Sequence, residues 1–183
     1  MLSEQLGQIP IFRNLDERAL SALCGVMSER HWRFQEKIIE QGAYSDGIHI
    51  LLEGRVEIVH AIEAGALIRL ATLSDGDMFG LLSCIDGGLR GASCIALTAC
   101  RTLFLQRTDF LELMEGTSPL ALGFQMAALR AVYYDIRRTN ALLSELRSLN
   151  PLPKDADLVP VEDLRTIEME FFDIDDLLSK DRS

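Results

Sequence analysis

Long apolar runs are missing from this chain: its 183 residues contain no stretch of about eighteen apolar residues, so no membrane-spanning helix is predicted. The N-terminus has the acidic Glu4 and no basic segment ahead of an apolar one, which argues against a signal peptide. Basic residues are also few, 18 against 28 acids, whereas a nucleic-acid-binding surface needs clustered lysine and arginine. We therefore expect a cytoplasmic protein that binds neither a membrane nor nucleic acid directly.

Residue patterns that carry catalysis or bind metals are also sparse. The three histidines, His31, His49 and His60, fall in or beside expected strands without metal-ligand spacing, and there is no paired acid and base or nucleophile motif. No CxxC pair occurs among the four cysteines, which we interpret as reduced core thiols, with redox sensing as the lesser alternative. These cysteines are Cys24, Cys84, Cys94 and Cys100. The sequence predicts no enzyme activity, no catalytic residue, no metal site and no cofactor.

Hydrophobic residues make up 48% of the chain, which suffices for the core of one domain with an appendage. A helix is expected after Asp16, a residue type that caps helices. Short β-type runs separated by Gly, Asp and Ser then begin near Trp32. They comprise residues 48–52, 56–59, 68–71, 93–98 and 102–105, with a hairpin turn at 64–65. The pattern predicts a β-roll, an antiparallel sheet curled on itself and interrupted by a short helix over residues 80–86.

The densest motif is a turn punctuated by glycines. Residues 76–82 read Gly-Asp-Met-Phe-Gly-Leu-Leu, and Arg90-Gly91-Ala92-Ser93 begins nine residues after Leu81. Glycines let the backbone approach a ligand closely, and the free amide N–H groups at a helix start point at an anion. An arginine supplies the neutralising charge and paired hydrogen bonds. The motif therefore favours capture of a phosphate or a similar anion.

This stretch resembles the phosphate-binding cassette of cyclic-nucleotide-binding domains, the type found in catabolite activator protein and protein kinase A regulatory subunits. Further matches are residues 9–12 with Leu15, the turn glycine Gly42, the hairpin at 50–56, residues 98–103 and a helix over 108–114, so the resemblance covers about residues 9–149. It implies an α+β fold: an antiparallel, jelly-roll-like β-roll flanked by an N-terminal helix and a long C-terminal dimerisation helix. The ligand-binding residues that it implies are Gly80, Leu81, Leu82, Ser83, Arg90, Gly91, Ala92 and Ser93.

Two positions depart from the family pattern. The family usually has a glutamate that accepts a hydrogen bond from the ribose 2′-hydroxyl, and this chain has Leu81 there. Members that prefer cGMP often have a threonine directly after the arginine, where this chain has Gly91. The resemblance thus implies a sensor that prefers cAMP if it binds a nucleotide. Another anion, or a degenerate roll that only scaffolds a partner, remains the alternative.

A long helix is expected from Pro119, at the first helical position that proline favours. Apolar residues spaced 4-3-4-3-4-3, with one asparagine, form a heptad seam that predicts a parallel homodimer. The seam residues are Leu122, Met126, Leu129, Tyr133, Ile136, Asn140 and Leu143, and a second stripe for packing on the roll is Leu120, Phe124, Ala127 and Ala131. Candidates to stack on the nucleotide base are Arg130, Tyr133, Tyr134 and Arg137, with a place in the seam or on the solvated face as the alternative.

The last segment is acidic, with ten acids and four bases from Asn150 onward. We divide the chain into a roll with its N-terminal helix at 1–117, the long helix at 118–149 and a tail at 150–183. The tail has apolar residues at 3-4-3-4 spacing, which predicts an amphipathic helix, although residues 166–171 also alternate as a strand would. Its docking residues are Leu164, Ile167, Phe171, Phe172, Ile174 and Leu178. They would bind another protein, their own domain or the dimer mate.

Overall fold

A computed structural model provides the structure of the chain and describes residues 2–62 and 66–149. The chain divides into two compact units, 1–140 and 141–183, and the features below lie in the first unless stated. The predicted hairpin turn at 64–65 and the predicted tail at 150–183 lie outside the described residues. None of the helices in the described part is long and apolar enough to cross a membrane.

Along the chain, helices come before, between and after the strands. The first part contains α1 (Leu2–Gln8), a 3-10 turn (Pro10–Phe12) and α2 (Glu17–Val26). The Asp16 carboxylate accepts a hydrogen bond of 2.7 Å from the Ala19 amide, which confirms the predicted cap. The later helices are α3 (Leu81–Asp86), α4 (Arg107–Glu115) and α5 (Pro119–Leu149).

Within residues 2–62 and 66–149, eight strands form two antiparallel sheets of four. They are β1 (Met27–Trp32), β2 (Lys37–Ile39), β3 (Gly47–Glu53), β4 (Val56–Ala61), β5 (Leu67–Leu73), β6 (Met78–Phe79), β7 (Ser93–Ala96) and β8 (Cys100–Gln106). The strand orders are β1-β8-β3-β6 and β2-β7-β4-β5. The two sheets with their flanking helices confirm the predicted α+β roll.

The core has two parts, one on each face of β3, and this arrangement explains why six of its seven residues are buried. Ile48, Ile50 and Leu52 face a cluster that includes residues from the helices, and Leu51 faces the interior of the roll. The roll interior is filled by apolar side chains from both sheets: Ile39, Leu51, Val56, Leu73, Phe79, Cys94, Ala96 and Cys100. Of the predicted second stripe of α5, Phe124, Ala127 and Ala131 are buried in the helical cluster.

Three strands were absent from the sequence prediction. Met27 begins β1 rather than continuing α2, β2 has three residues and β6 has two. β1 reads Met-Ser-Glu-Arg-His-Trp, without a run of β-branched residues, and it is held by six residue pairs with β8. Pairing to a neighbour rather than local sequence preference therefore fixes these strands.

Candidate ligand-binding site

The predicted cassette comprises β6, the turn at Gly80 and the start of α3. Gly80 stands immediately before α3 with φ +80°, a conformation that favours glycine. A Cβ atom on Gly80 would lie 2.8 Å from Arg90 Nη1 and 3.0 Å from Ile39 Cδ1. Both the backbone conformation and the close approach of Arg90 therefore require glycine at this position.

Arg90 is buried, and its guanidinium joins the cassette to the loop before β3. Nη1 donates to the Gly80 carbonyl at 2.7 Å and to Ser83 Oγ at 3.0 Å. Nη2 donates to Asp46 Oδ1 at 2.9 Å and to the Gly47 carbonyl at 2.5 Å. The Arg90 side chain is 3% exposed, whereas that of Asp46 is 67% exposed. Protein groups thus engage both terminal nitrogens, and the one charged partner of Arg90 lies at the surface.

The backbone of Arg90 is bound to the same loop. The Arg90 amide donates to the Ala43 carbonyl at 2.9 Å, and the Gly42 amide donates to the Arg90 carbonyl at 2.8 Å. Residues 42–47 therefore contact Arg90 through both main chain and side chain. The sequence prediction assigned no partner to Arg90 in this loop, because Asp46 belongs to none of its motifs.

The side chains of α3 point in different directions. Leu81, at the position of the family glutamate, is buried in the helical cluster, and Leu82 is 69% exposed. Ser83 is buried, and since its hydroxyl accepts from Arg90, the hydroxyl proton can still be donated. Leu81 therefore contributes to the core and offers no hydrogen-bond acceptor to a ligand.

Gly91 and Ser93 lie just before and at the start of β7, a strand of the second sheet. A Cβ atom on Gly91 would have no neighbour within 4 Å, so there is space beside this residue. The Gly91 carbonyl accepts a 2.8 Å hydrogen bond from His60 Nδ1, and Ser93 Oγ accepts one of 2.9 Å from the Gln41 amide. Ala92, between them, is partly buried. The segment after Arg90 is therefore bound to β4 and to the loop that follows β2.

The candidate base contacts on α5 make contacts elsewhere. Arg130 Nη1 donates to the Ile11 carbonyl at 3.4 Å, and Tyr133 and Tyr134 are exposed with ring centroids 5.7 Å apart. The Arg137 guanidinium bonds to the Tyr133 hydroxyl at 2.9 Å. The contacts of these four residues do not join them to the cassette.

A different residue of α5 reaches the cassette turn. Arg138 Nη2 lies 3.1 Å from Asp77 Oδ1, and Asp77 Oδ2 accepts a 2.8 Å hydrogen bond from the Ser74 amide. Asp77 belongs to the Gly-Asp-Met-Phe-Gly turn. The sequence prediction missed this ion pair because Arg138 lies outside both predicted stripes of the helix.

Other candidate chemistry is absent from the part of the chain that the structure describes. No group of three or more His, Cys, Asp or Glu residues could hold a metal ion there. All four cysteines are free, and burial raises the pKa of the Cys94 thiol to about 12. One surface groove of about 430 Å³ includes Gly54 in its lining, and another of about 570 Å³ includes Trp32. Cassette residues line neither groove.

Comparison with known proteins identifies a family for the central part of the chain. The family model of the cyclic nucleotide-binding domain matches residues 29–117, from β1 to just beyond α4. The CRP-like cAMP-activated global transcriptional regulator of Mycobacterium tuberculosis is 28% identical over 145 residues, 79% of this chain and 63% of that protein. The cGMP-dependent protein kinase egl-4 of Caenorhabditis elegans is 30% identical over 111 residues, 60% of this chain and 14% of that protein. The chain thus spans less than two thirds of these relatives.

A solved structure supports the fold assignment. The crystal structure of a cyclic nucleotide-binding domain from Methylobacillus flagellatus matches with a TM-score of 0.69 at 21% identity, covering 79% of this chain and 82% of that one. At this identity the likeness shows the fold alone. The family match, however, includes both the cassette and the Arg90 network. Residues 29–117 therefore belong to the cyclic nucleotide-binding domain family.

Proposed function

We propose that this protein is a regulatory sensor module that binds a cyclic mononucleotide at the cassette and passes its ligand state to a protein partner. The observation that carries this proposal is the buried Arg90 beside the start of α3, with Ser83 and a surface carboxylate as partners. A guanidinium held next to free helix amides is suited to a phosphate. The proposal includes no enzymatic activity, no cofactor and no direct binding of nucleic acid.

Asp46 gives the ligand a way to reach Arg90. An incoming phosphate can replace the Asp46 carboxylate on Nη2, since Asp46 is largely exposed and regains water when it leaves. The phosphate replaces one charged acceptor by another, so the buried guanidinium keeps a charged partner through the exchange. The hydrogen bonds to Gly80 and Gly47 would keep the guanidinium in place during this exchange.

Nucleotide preference follows from what the cassette offers. Gly91 has no hydroxyl to contact a guanine, so we expect cAMP to bind better than cGMP. The carboxylate that would accept the ribose hydroxyl is missing at Leu81, and a lost hydrogen bond to a charged group costs about 1.5–3 kcal/mol, or roughly ten- to hundredfold in affinity. A site of micromolar affinity would therefore weaken to the high micromolar to millimolar range.

Helix α5 is the proposed output element. Its Arg138 contacts Asp77 of the cassette turn, so a change in the turn can bias the position of the helix. Seam residues Leu122, Leu129 and Ile136 are about half exposed, as expected of a surface that a second copy covers in a homodimer. A ligand changes this helix only if it binds one arrangement more tightly than the other. The acidic tail at 150–183 would then present a different surface to the partner.

One observation favours a second candidate, a ligand-independent scaffold. The terminal nitrogens of Arg90 already make four hydrogen bonds to the protein, and apolar side chains fill the roll interior. Two apolar side chains, Leu82 of the cassette and Tyr44 of the loop at 42–47, are also exposed, by 69% and 84%. A roll that has lost its ligand would use Arg90 only to hold its loops together.

Calorimetric titration with cAMP and cGMP separates the two candidates. We expect saturable cAMP heat in the wild type and an affinity at least tenfold lower in Arg90→Lys, which keeps the charge but loses the paired geometry. Arg55→Ala, at an exposed arginine after β3, is the matched control and should bind as the wild type does. Thermal melts verify that each variant is folded. No heat from the wild type up to millimolar nucleotide would leave the scaffold as the function.

A further inference from the structure

His60 lies near the end of β4, next to Gly91, the residue that follows Arg90. β4 pairs with β7 so that Val56 lies opposite Ala96 and Ile58 opposite Cys94, and these residues belong to or pack against the interior cluster. Side chains alternate along a strand, so His60 is on the same face as Val56 and Ile58. It is half-buried, pairs with Ile68 of β5, and lies just beyond the last residue of β4 that pairs with β7.

The contact with Gly91 fixes the orientation of the imidazole. The Gly91 carbonyl can only accept, so His60 Nδ1, 2.8 Å away, carries a proton and donates it. In the neutral ring the other nitrogen, Nε2, then has a lone pair and is a hydrogen-bond acceptor. One end of the ring is thereby anchored to the cassette segment, and the other is able to accept.

The backbone around His60 is held firmly. The neighbouring Ala61 amide donates to Gln41 Oε1 at 2.7 Å, and Gln41 Nε2 donates to the Ala61 carbonyl at 3.1 Å. The Gln41 amide in turn donates to Ser93 Oγ. A side chain on such a fixed backbone can select a ligand by geometry. The space beside Gly91 leaves room for ligand atoms near the ring.

We propose that His60 is a specificity-determining residue of the nucleotide site, whose Nε2 accepts a hydrogen bond from a hydroxyl or amino group of the bound cyclic nucleotide. This inference rests on the proposed function. It assigns an acceptor that Leu81 cannot supply, because the Leu81 side chain is buried in the core. A neutral hydrogen bond of this kind corresponds to roughly three- to tenfold in affinity.

The test is calorimetric titration of two proteins with three ligands. The proteins are the wild type and His60→Phe, which keeps a ring but has no nitrogen. The ligands are cAMP, 2′-deoxy-cAMP without the sugar hydroxyl and cyclic inosine monophosphate without the exocyclic amino group. In the wild type we expect one analogue to bind about three- to tenfold more weakly than cAMP. In His60→Phe that difference should vanish, and the analogue that shows it identifies the donor group.

A purely structural role for His60 predicts another pattern, in which His60→Phe weakens all three ligands equally and keeps their ratio. That result overturns the inference, as does a wild type that binds all three ligands alike. His60→Gln retains an acceptor oxygen and should restore part of the discrimination, and His31→Phe on the exposed part of β1 is the matched control. A wild type that does not bind cAMP at all overturns the sensor itself, and the role of His60 with it.

Discussion

Folding changes the acid–base chemistry of His49. It is 1% exposed on β3 and stacks on Phe79 with ring centroids 5.2 Å apart. The Trp32 indole donates to Thr102 Oγ1 at 2.9 Å, so the Thr102 hydroxyl proton is free to bond His49 Nδ1, 3.2 Å away. Burial, followed by the charge of Arg30, lowers the pKa of His49 to about 3. The folded protein therefore holds this imidazole neutral.

This environment makes stability sensitive to acid. The unfolded chain takes up a proton near the ordinary pKa of 6.5 and the folded chain only near 3, so the contribution of His49 is complete above pH 6.5 and is lost as the pH falls toward 3. Between pH 7 and pH 5 the free energy of unfolding should fall by about 2 kcal/mol through this residue. Urea denaturation of the wild type and of His49→Gln measures the difference.

The same titration contains its own control. His49→Gln has no ionisable group at this position, so its stability should fall less between pH 7 and pH 5 than that of the wild type. Parallel curves for the wild type and His49→Gln would contradict the account of this site.

The sequence identified individual residues of the site better than it predicted the contacts that they make. Arg90 was found because its spacing from the glycine turn is a local pattern. Its partner Asp46 lies 44 residues away along the chain and is brought close by the pairing of the strands. Likewise, the substitution at Leu81 is visible in the sequence, but the direction of its side chain into the core depends on tertiary packing.

Helix α5 carries the main prediction at the element scale. Replacing both Leu129 and Ile136 by Glu should convert a homodimer to a monomer, because four charges would meet in an apolar seam. Both residues are about half exposed, so the fold of one protomer should change little. Analytical ultracentrifugation measures the mass, and thermal melting verifies the fold.

A matched variant tests whether the seam itself is responsible. Leu67→Glu changes a leucine that is 63% exposed on β5, away from the helix, and should remain dimeric. A monomeric wild type, or a double variant that remains dimeric, would exclude the seam as the dimer interface. The seam would then be an apolar surface of α5 with another role.

How well an element could be predicted depended on what holds it. Helix α5 and strand β3 have strong apolar patterns of their own, and both lie where the sequence predicted them. Strands β2 and β6 have three and two residues, too few for any periodicity, and they exist because β7 and β3 pair with them. Tertiary pairing cannot be deduced from such short segments.

At the scale of the whole molecule, side chains link the cassette to the loop before β3 and to α5. Arg90 binds the cassette to the loop at 42–47, and Asp77 binds the cassette turn to Arg138 of α5. β3 lies between the two parts of the core, so a shift of this strand would affect the side chains packed on both of its faces. Under the proposed function, these contacts would be the route by which an anion at Arg90 alters α5.

The central claim, that ligand binding at the cassette is transmitted to α5, is tested most directly by hydrogen exchange with and without saturating cAMP. We expect slower exchange of the amides at the start of α3 together with a changed rate in α5. The change in α5 should shrink in Arg138→Gln, which lacks the ion pair with Asp77. Protection at α3 with no change in α5 would contradict transmission, and identical exchange throughout would contradict ligand binding itself.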